Sequence, residues 1–156
     1  MVYVFDNNSF RVLGNYYPDH FQTFWDKFNQ AVTVGKIISV REVRRELDLF
    51  VRYPHLSDWI EKHKNIFLLP NATEMRFVSE IFAIQHFQSL VRKQIILEGR
   101  PCADPFIVAK ANFINGCVVT EETVQSNAAK IPNVCQRFEI DFTNFQGFME
   151  REGWAF

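Results

Sequence analysis

The alternation of short apolar runs with helical segments is the feature that most constrains the fold of this chain. The apolar runs predict five strands, at residues 2–5, 36–39, 65–70, 117–120 and 140–142. The first run, Val2-Tyr3-Val4-Phe5, is apolar without interruption, which is typical of a strand covered on both faces. Strands that alternate with helices predict βαβ units. We therefore expect a three-layer α/β/α fold with a mainly parallel five-stranded sheet.

Seven helical segments are predicted between and after these strands. Their approximate ranges are 20–34, 40–50, 56–64, 73–97, 103–114, 131–138 and 145–152. Directly after the first strand, residues 6–9 favour a turn, because Asp, Asn and Ser bond their own backbone. The alternative is that they cap a helix that begins near Ser9. The 156 residues fit a single domain, residues 1–156.

Composition excludes several classes of protein. With 17 basic and 18 acidic side chains the net charge is −1, so a polyanion must be bound by a local patch. The three cysteines form no CxxC pair and favour buried thiols in a reducing compartment. No signal core or membrane-spanning run is present, so the expected location is the cytoplasm, without membrane association.

Phenylalanine is unusually frequent, with 17 residues. Several recur at helical spacing, such as Phe21, Phe24 and Phe28, which favours helix faces turned to the core. Exposure of some of them at a protein interface is the alternative.

Acidic residues lie close to the ends of several predicted strands. Asp6 follows the first strand, Glu42 and Glu46 lie on the helix after the second, Asp104 begins the helix before the fourth, and Glu121 and Glu122 follow the fourth. Open α/β folds bind ligands at the carboxyl ends of their strands. These carboxylates are therefore predicted to lie near one edge of the sheet.

Carboxylates that converge need a cation or a proton between them. Two ionised carboxylates about 5 Å apart repel by roughly 3 kcal/mol at an effective dielectric constant near 20. A site of oxygen ligands favours Mg²⁺ or Mn²⁺, whereas Zn²⁺ prefers His and Cys. The four histidines have no HxxxH or HExxH spacing. No GxGxxG, P-loop or GxSxG motif is present, which excludes the usual nucleotide-binding and acyl-transfer classes.

Each acid also has a structural explanation. Asp104 followed by Pro105 is typical of an N-cap at a helix start. Ser39 and Glu42 have the S-x-x-E spacing of a capping box, which leaves Glu46 free on the same helix face one turn further on. Glu46 would be one charge on the polar helix face that also carries Arg45, and Glu121 and Glu122 would be solvated loop charges. The coincidence of four acidic positions at strand ends is what favours a functional site.

The segments "VFDNNS", "SVREVRREL", "ADPFIVAKA" and "VVTEE" together cover most of the chain. In combination they resemble the PIN-like domains, the fold of metal-dependent ribonucleases that includes VapC-type toxins of bacterial toxin–antitoxin pairs. The segments "HFQSL", "AAKIPNVC" and "FMEREGW" resemble more narrowly a prokaryotic PIN-like subfamily long described only as a domain of unknown function. The resemblance implies a strand order of 3-2-1-4-5, with the site beside strand 1.

The resemblance also implies four carboxylates that bind metal and carry catalysis. Asp6 matches the first aspartate of the family, Glu46 the glutamate of its V-x-x-E-L helix motif, and Asp104 the aspartate that begins its long helix. Glu122 matches the acid two residues after a strand-end threonine, here Thr120.

Neighbouring positions are implied to support these carboxylates. Asn8 and Thr120 match polar positions that help to hold metal-bound water, and Glu42 is the rival of Glu46 as ligand. Two positions depart from the family: Asn7 replaces the usual Thr or Ser, and Glu122 replaces the Asp of many members.

The implied function is a Mg²⁺- or Mn²⁺-dependent endoribonuclease that acts as the toxin of a type II pair. The expected partners are an RNA substrate and a cognate antitoxin protein, and a homodimer is a further expectation. Arg41, Arg44 and Arg45 would steer the RNA backbone, or they form a solvated helix face.

Two other classes of function are open. A PIN-like protein- or RNA-binding module that has lost catalysis is mildly favoured by the departure at Asn7. A phosphatase with a nucleophilic aspartate needs a second Asp two residues on, where this chain has Asn8.

Overall fold

The computed structural model describes residues 1–90 and 102–156. The strands are β1 Tyr3–Phe5, β2 Ile37–Val40, β3 Phe67–Leu68, β4 Cys117–Val119 and β5 Asp141–Thr143. The α-helices of the described residues are α1 Asn7–Val12, α2 Gln22–Thr33, α3 Arg41–Phe50, α4 Pro54–Lys62, α5 Ala72–Ala83, α6 Asp104–Ile114, α7 Ile131–Arg137 and α8 Phe145–Arg151. Among these residues no helix has the length and apolarity to span a lipid bilayer.

The five strands form one parallel sheet in the order β3-β2-β1-β4-β5. Tyr3 of β1 is aligned with Ile37 on one side and with Cys117 on the other. The chain winds outward from β1 in both directions, so the carboxyl ends of β1 and β4 form a topological switch point. The predicted α/β fold, its parallel five-stranded sheet and the strand order are therefore confirmed.

Helices cover the sheet and bury its apolar side chains. Because side chains alternate along a strand, Tyr3 and Phe5 face the same side. The Phe5 ring lies 5.4 Å from that of Phe10, 5.8 Å from that of Phe28 and 5.2 Å from that of Phe148, between ring centroids. Helix α6 packs on β1, β2 and β4, and α5 packs on α6. More than half of the phenylalanines are buried, so the core interpretation accounts for most of them.

The turn predicted at residues 6–9 is wrong. Helix α1 begins at Asn7, and the Asp6 carboxylate accepts a hydrogen bond from the Asn7 N–H at 2.6 Å. Asp6 therefore caps a helix, which is the other structure that an Asp-Asn-Asn-Ser sequence favours. The strand leads directly into this helix, which holds Asp6 at the sheet edge.

The helices predicted over about residues 73–97 begin with α5, and a break follows it. Helix α5 ends at Ala83, and Ile84 takes an extended backbone conformation. The Gln88 amide donates to the Phe82 carbonyl at 3.0 Å, which satisfies one of the carbonyls that a helix end leaves free. The part of the prediction from residue 91 onward lies outside the described residues.

The three cysteines are buried and free, as their spacing predicted. Burial is the main reason why the pKa of Cys102 and of Cys117 rises to about 12. These thiols are therefore protonated side chains of the interior.

A buried ion pair joins α5 to α6. Lys110 Nζ lies 2.7 Å from Glu74 Oε1, and both side chains are almost fully buried. Lys110 also donates to the Leu69 carbonyl at 3.3 Å. The second Glu74 oxygen is buried with no partner among the described residues. Lys110 therefore supplies the counter-charge that the buried Glu74 carboxylate needs.

Replacing Lys110 with Met is expected to destabilise the protein by about 3 kcal/mol, because a buried carboxylate loses its counter-charge. Urea unfolding at pH 7 measures the free energy of unfolding. The double variant Glu74→Met/Lys110→Met should recover most of the loss, since it leaves no buried charge. A single variant as stable as wild type would contradict this account of the pair.

Candidate active site

Four carboxylates from separate segments of the chain meet at the switch point. Asp6 follows β1, Glu46 lies on α3, Asp104 begins α6, and Glu122 comes two residues after Thr120 at the end of β4. Asp6, Glu46 and Asp104 are buried, with 2%, 5% and 9% of their surface exposed, and Glu122 is partly buried. Burial raises the pKa values of Asp6, Glu46 and Asp104, and the charge of Glu122 adds to the rise in each of the three. The predicted quartet is thus brought together in space.

Asp6 is held from both sides. Its Oδ1 accepts from the Asn7 N–H at 2.6 Å, and its Oδ2 accepts from the Thr120 hydroxyl at 3.0 Å. Burial, followed by the charge of Glu122, raises the pKa of Asp6 to about 7, and these hydrogen bonds offset only part of the rise. Asp6 therefore changes its charge close to neutral pH.

Glu46 is also fixed by two donors. Its Oε1 accepts from the Ala103 N–H at 2.8 Å, and its Oε2 accepts from the Asn7 side-chain amide. Burial is the largest cause that raises the pKa of Glu46 to about 8, and the charges of Asp6 and Glu122 add to it. The bond to Ala103 places Glu46 beside the start of α6, next to Asp104.

Asp104 does not act as the predicted N-cap. Ala103 occupies that position, and its carbonyl accepts from the N–H groups of Phe106 and Ile107, both at 3.0 Å. No described residue donates a hydrogen bond to the Asp104 carboxylate. Burial and the charges of Asp6, Glu122 and Glu46 raise its pKa well above the usual range. The side chain is therefore an open acceptor in the cluster.

Glu122 and its neighbours link β4 to α1 and α7. The Glu122 Oε2 accepts from the Ile131 N–H at 3.0 Å, and the Glu122 N–H donates to the Thr120 hydroxyl at 3.2 Å. The Asn8 side-chain oxygen accepts from the Glu121 N–H at 3.0 Å. Asn8 and Thr120, two of the three predicted supporting residues, thus lie beside the carboxylates.

The predicted capping box at Ser39 and Glu42 does not form. Val40 is the N-cap of α3, and no side chain caps it. The Ser39 hydroxyl donates instead to the Phe5 carbonyl at 2.6 Å, because Ser39 lies inside β2 next to β1. Glu42 accepts from Arg41 at 2.9 Å, while its Oε2 is buried without a described partner.

Glu42 stands apart from the quartet. The charges that raise the pKa of Asp104 are those of Asp6, Glu122 and Glu46, and Glu42 does not contribute. Glu46 accepts from Asn7 and Ala103, the neighbours of Asp6 and Asp104. The side-chain partner of Glu42 is Arg41, so of these two glutamates Glu46 is assigned to the cluster.

The three predicted RNA-binding arginines are not hydrogen-bonded to the quartet. Arg41 pairs with Glu42 at 2.9 Å, and Arg44 pairs with Glu61 at 2.6 Å. Arg45 is exposed. Their role in binding RNA stays a prediction, and two of them already have carboxylate partners.

The chemistry of the cluster suits a hard divalent cation, but its side chains need to rearrange to hold one. Four carboxylates supply only oxygen ligands, which Mg²⁺ and Mn²⁺ prefer. Within residues 1–90 and 102–156, no group of three or more His, Cys, Asp or Glu side chains is arranged to hold a metal ion. Glu46 and Glu122 are turned to backbone N–H groups, so rotation of these side chains would free them.

Some residues that hold the cluster together were not predicted from the sequence. The Asn7 amide holds Glu46, and the only signal was its departure from the family pattern. The Ser9 hydroxyl is buried and donates to the Val119 carbonyl at 3.1 Å, which ties α1 to β4. The Ala103 N–H acts through its backbone, so no residue type could indicate it.

Solved VapBC structures have a fold similar to that of this chain. The structure of VapBC-1 from nontypeable Haemophilus influenzae is similar with a TM-score of 0.53 and 15% identity, over 94% of this chain and 99% of that chain. VapBC2 from Rickettsia felis, bound to a DNA fragment from its promoter, is similar with a TM-score of 0.51 and 14% identity, over 93% and 99%. The likeness supports a PIN-like fold.

The sequence matches the family described as a domain of unknown function, DUF4411, over residues 3–156. The chain therefore belongs to the DUF4411 family. No curated protein matches the sequence.

The raised pKa values predict how stability depends on pH. Because the folded pKa of Asp6 is about 7 and that of Glu46 about 8, the native state binds protons more tightly than the unfolded chain. Without metal, stability is therefore expected to fall as the pH rises from 5 to 8, by about 5–10 °C in melting temperature. Calorimetry in EDTA measures this change.

A variant and an added metal ion serve as controls for the pH experiment. Asp6→Asn removes a titrating charge but can still cap α1, so its melting temperature should fall less between these pH values. Mn²⁺ added at pH 8 should raise the wild-type melting temperature, because a cation favours the ionised carboxylates. A wild-type melting temperature that increases from pH 5 to pH 8 in EDTA would contradict the burial of these charges.

Proposed function

We propose that this chain is a divalent-metal-dependent endoribonuclease with a VapC-like PIN fold, and that it acts as the toxin of a type II toxin–antitoxin pair. The observation that carries the proposal is the convergence of Asp6, Glu46, Asp104 and Glu122 at the switch point of the sheet. No basic side chain among the described residues is ion-paired with any of them. The fold likeness to VapBC structures supports the toxin–antitoxin context.

In this proposal the four carboxylates would hold Mg²⁺ or Mn²⁺. A bound ion would supply Lewis acidity and a water of lowered pKa for hydrolysis of the RNA phosphodiester. The Thr120 hydroxyl keeps the Asp6 carboxylate in place, and the Asn7 amide orients Glu46. Asp6, with a pKa of about 7, and Glu46, with a pKa of about 8, would give up the protons that they carry near pH 7 if a cation bound.

The proposal extends to partners and location. RNA is the substrate, a cognate antitoxin is the protein partner, and the cytoplasm is the compartment. An antitoxin that neutralises the enzyme would cover the acidic cluster, and an inserted arginine would satisfy its charge. Self-association into a homodimer belongs to the same proposal.

A second candidate is a PIN-like module that binds protein or RNA without cleavage. The bond from the Asn7 amide to Glu46 favours it, because this bond occupies an oxygen that a metal would need. Such a module would gain no melting temperature from Mn²⁺, which separates it from the enzyme.

Cleavage of a fluorescein-labelled single-stranded RNA tests the proposed enzyme. We expect cleavage with Mg²⁺ or Mn²⁺ and none in excess EDTA, and Asp6→Asn, purified in parallel, controls for contaminating nucleases. Cleavage that persists undiminished in EDTA would overturn the metal mechanism. Induced expression should arrest bacterial growth for the wild type but not for Asp6→Asn. Harmless expression of a protein with intact cleavage would overturn the toxin role.

A further inference from the structure

A groove of about 650 Å³ lies beside the acidic cluster. Asn8 and Glu121 line it and are bonded to each other, and Asn8 follows Asp6 by two residues. The groove therefore adjoins the carboxylates. Further lining residues are Arg11, Asn15, Arg52 and Tyr53.

The groove carries two guanidinium groups that are not paired with its lining carboxylate, Glu121, which accepts instead from the Phe145 N–H. Arg11 and Arg52 are exposed, and neither forms an ion pair with a carboxylate of the described residues. The Arg11 guanidinium lies 5.8 Å from the centroid of the Phe50 ring. Its donors are thus held near one position and stay available for an anion. This differs from Arg41 and Arg44, which both pair with glutamates.

Tyr53 adds an exposed aromatic ring to the same groove. The residue is 37% exposed. Its ring lies against Gly14, where an added Cβ would come within 2.6 Å of Tyr53 Cε2. Any side chain at position 14 would therefore displace the ring. The absence of a side chain at Gly14 leaves room for the tyrosine ring.

A substrate strand needs such cationic contacts. The phosphates of RNA and the carboxylate quartet repel each other, so contacts outside the quartet must hold the strand next to it. Guanidinium groups bind phosphate oxygens, and exposed aromatic rings stack on unpaired bases. A strand that is already paired in a duplex has no base free to stack on Tyr53.

We propose that this groove binds single-stranded RNA on one side of the scissile phosphate, with Arg11 and Arg52 on backbone phosphates and Tyr53 stacked on a base. The assignment rests on the proposed nuclease function, because it identifies the strand in the groove as the substrate. It also names three residues that set substrate affinity without taking part in the chemistry.

Binding is tested in EDTA, so that affinity is measured apart from cleavage. The probe is a fluorescein-labelled single-stranded RNA of about 12 nucleotides, and fluorescence anisotropy gives its Kd. Arg11→Ala/Arg52→Ala should weaken binding about tenfold and reduce the slope of log K against log salt by about 1.4. The control Arg76→Ala changes an exposed arginine of α5 that does not line the groove, and it should bind as wild type.

Two further variants test the proposed stacking of a base on the Tyr53 ring. Tyr53→Ala should weaken binding at least about fivefold, the low end of what one base–aromatic stack contributes. Gly14→Ala keeps the tyrosine but displaces its ring, so it should weaken binding in the same direction. Circular dichroism and melting temperature confirm that each variant is folded.

Each result decides the proposal. Wild-type affinity in the folded double arginine variant, as expected if the groove served a peptide, would overturn it, and so would a wild type that does not bind the RNA. Loss of binding in the groove variants supports it, even where the wild type fails to cleave RNA with Mn²⁺. That last outcome would remove the proposed nuclease function and leave an RNA-binding groove.

Discussion

Asp104→Asn is expected to reduce Mn²⁺-dependent cleavage of single-stranded RNA by about 10³-fold, with a melting temperature equal to or above that of wild type. The Asp104 carboxylate caps no helix and accepts no hydrogen bond from the described residues. Its charge is buried among three other carboxylates that raise its pKa. Asn has nearly the same shape without the charge, so the change removes a proposed metal ligand and relieves repulsion.

Activity and stability must be measured together for this variant. Initial cleavage rates at saturating Mn²⁺ give the activity, and thermal unfolding in EDTA gives the stability. Asp26→Asn makes the same chemical change at an exposed position of α2 and should leave both unchanged. An Asp104→Asn enzyme with full activity would show that this carboxylate has no part in cleavage.

Glu46→Gln is expected to abolish cleavage, whereas Glu42→Gln leaves it largely intact. The two glutamates lie one turn apart on α3, yet only Glu46 contributes to the raised pKa of Asp104. Glutamine at position 46 can still accept from the Ala103 N–H through its oxygen, and its NH₂ can donate to the Asn7 side-chain oxygen once that amide turns over, so folding should be little affected. Loss of the charge should lower the cleavage rate by about 10²- to 10³-fold.

The pair of variants is its own control, because the same substitution is made on the same helix. Both are assayed with the same RNA and Mn²⁺ concentrations, and both melting temperatures are recorded. If Glu42→Gln lost cleavage and Glu46→Gln kept it, Glu42 would be the ligand and the assignment of Glu46 would be wrong.

The sheet could be predicted from the sequence because its strands are short, continuous apolar runs between helices. The run Val2–Phe5 predicted β1 almost to the residue. The strand order followed from the family resemblance, since apolar pattern alone does not fix which strands are neighbours. Helix α1 was missed because Asp-Asn-Asn-Ser favours a turn and a cap equally well.

The acidic cluster could be predicted in part. The identity of its carboxylates followed from strand ends and from the resemblance, since parallel strands bring their carboxyl ends together. The helix-start roles of Asp104 and Glu42 were wrong, because local patterns do not show that Ala103 takes the cap or that Ser39 bonds Phe5.

Contacts between distant segments account for what the sequence could not predict. Asn7 and Glu46 are 39 residues apart in the chain, and the fold alone brings them together. The groove joins α1 to the segment after α3, through Arg11, Arg52 and Tyr53. No sequence motif indicates the positive charge of this groove. None indicates the packing of the Tyr53 ring on Gly14 either.

The central claim is tested most directly by a calorimetric titration, in which Mn²⁺ is added to the purified protein. The titration is carried out in two buffers of different ionisation enthalpy. Because burial raises the pKa values of Asp6, Glu46 and Asp104, Mn²⁺ binding to the quartet should release protons, so the observed heat should differ between the buffers. The double variant Asp6→Asn/Asp104→Asn should show no binding. An absence of binding in the wild type, or equal binding in this double variant, would contradict the assignment of the quartet as a metal site.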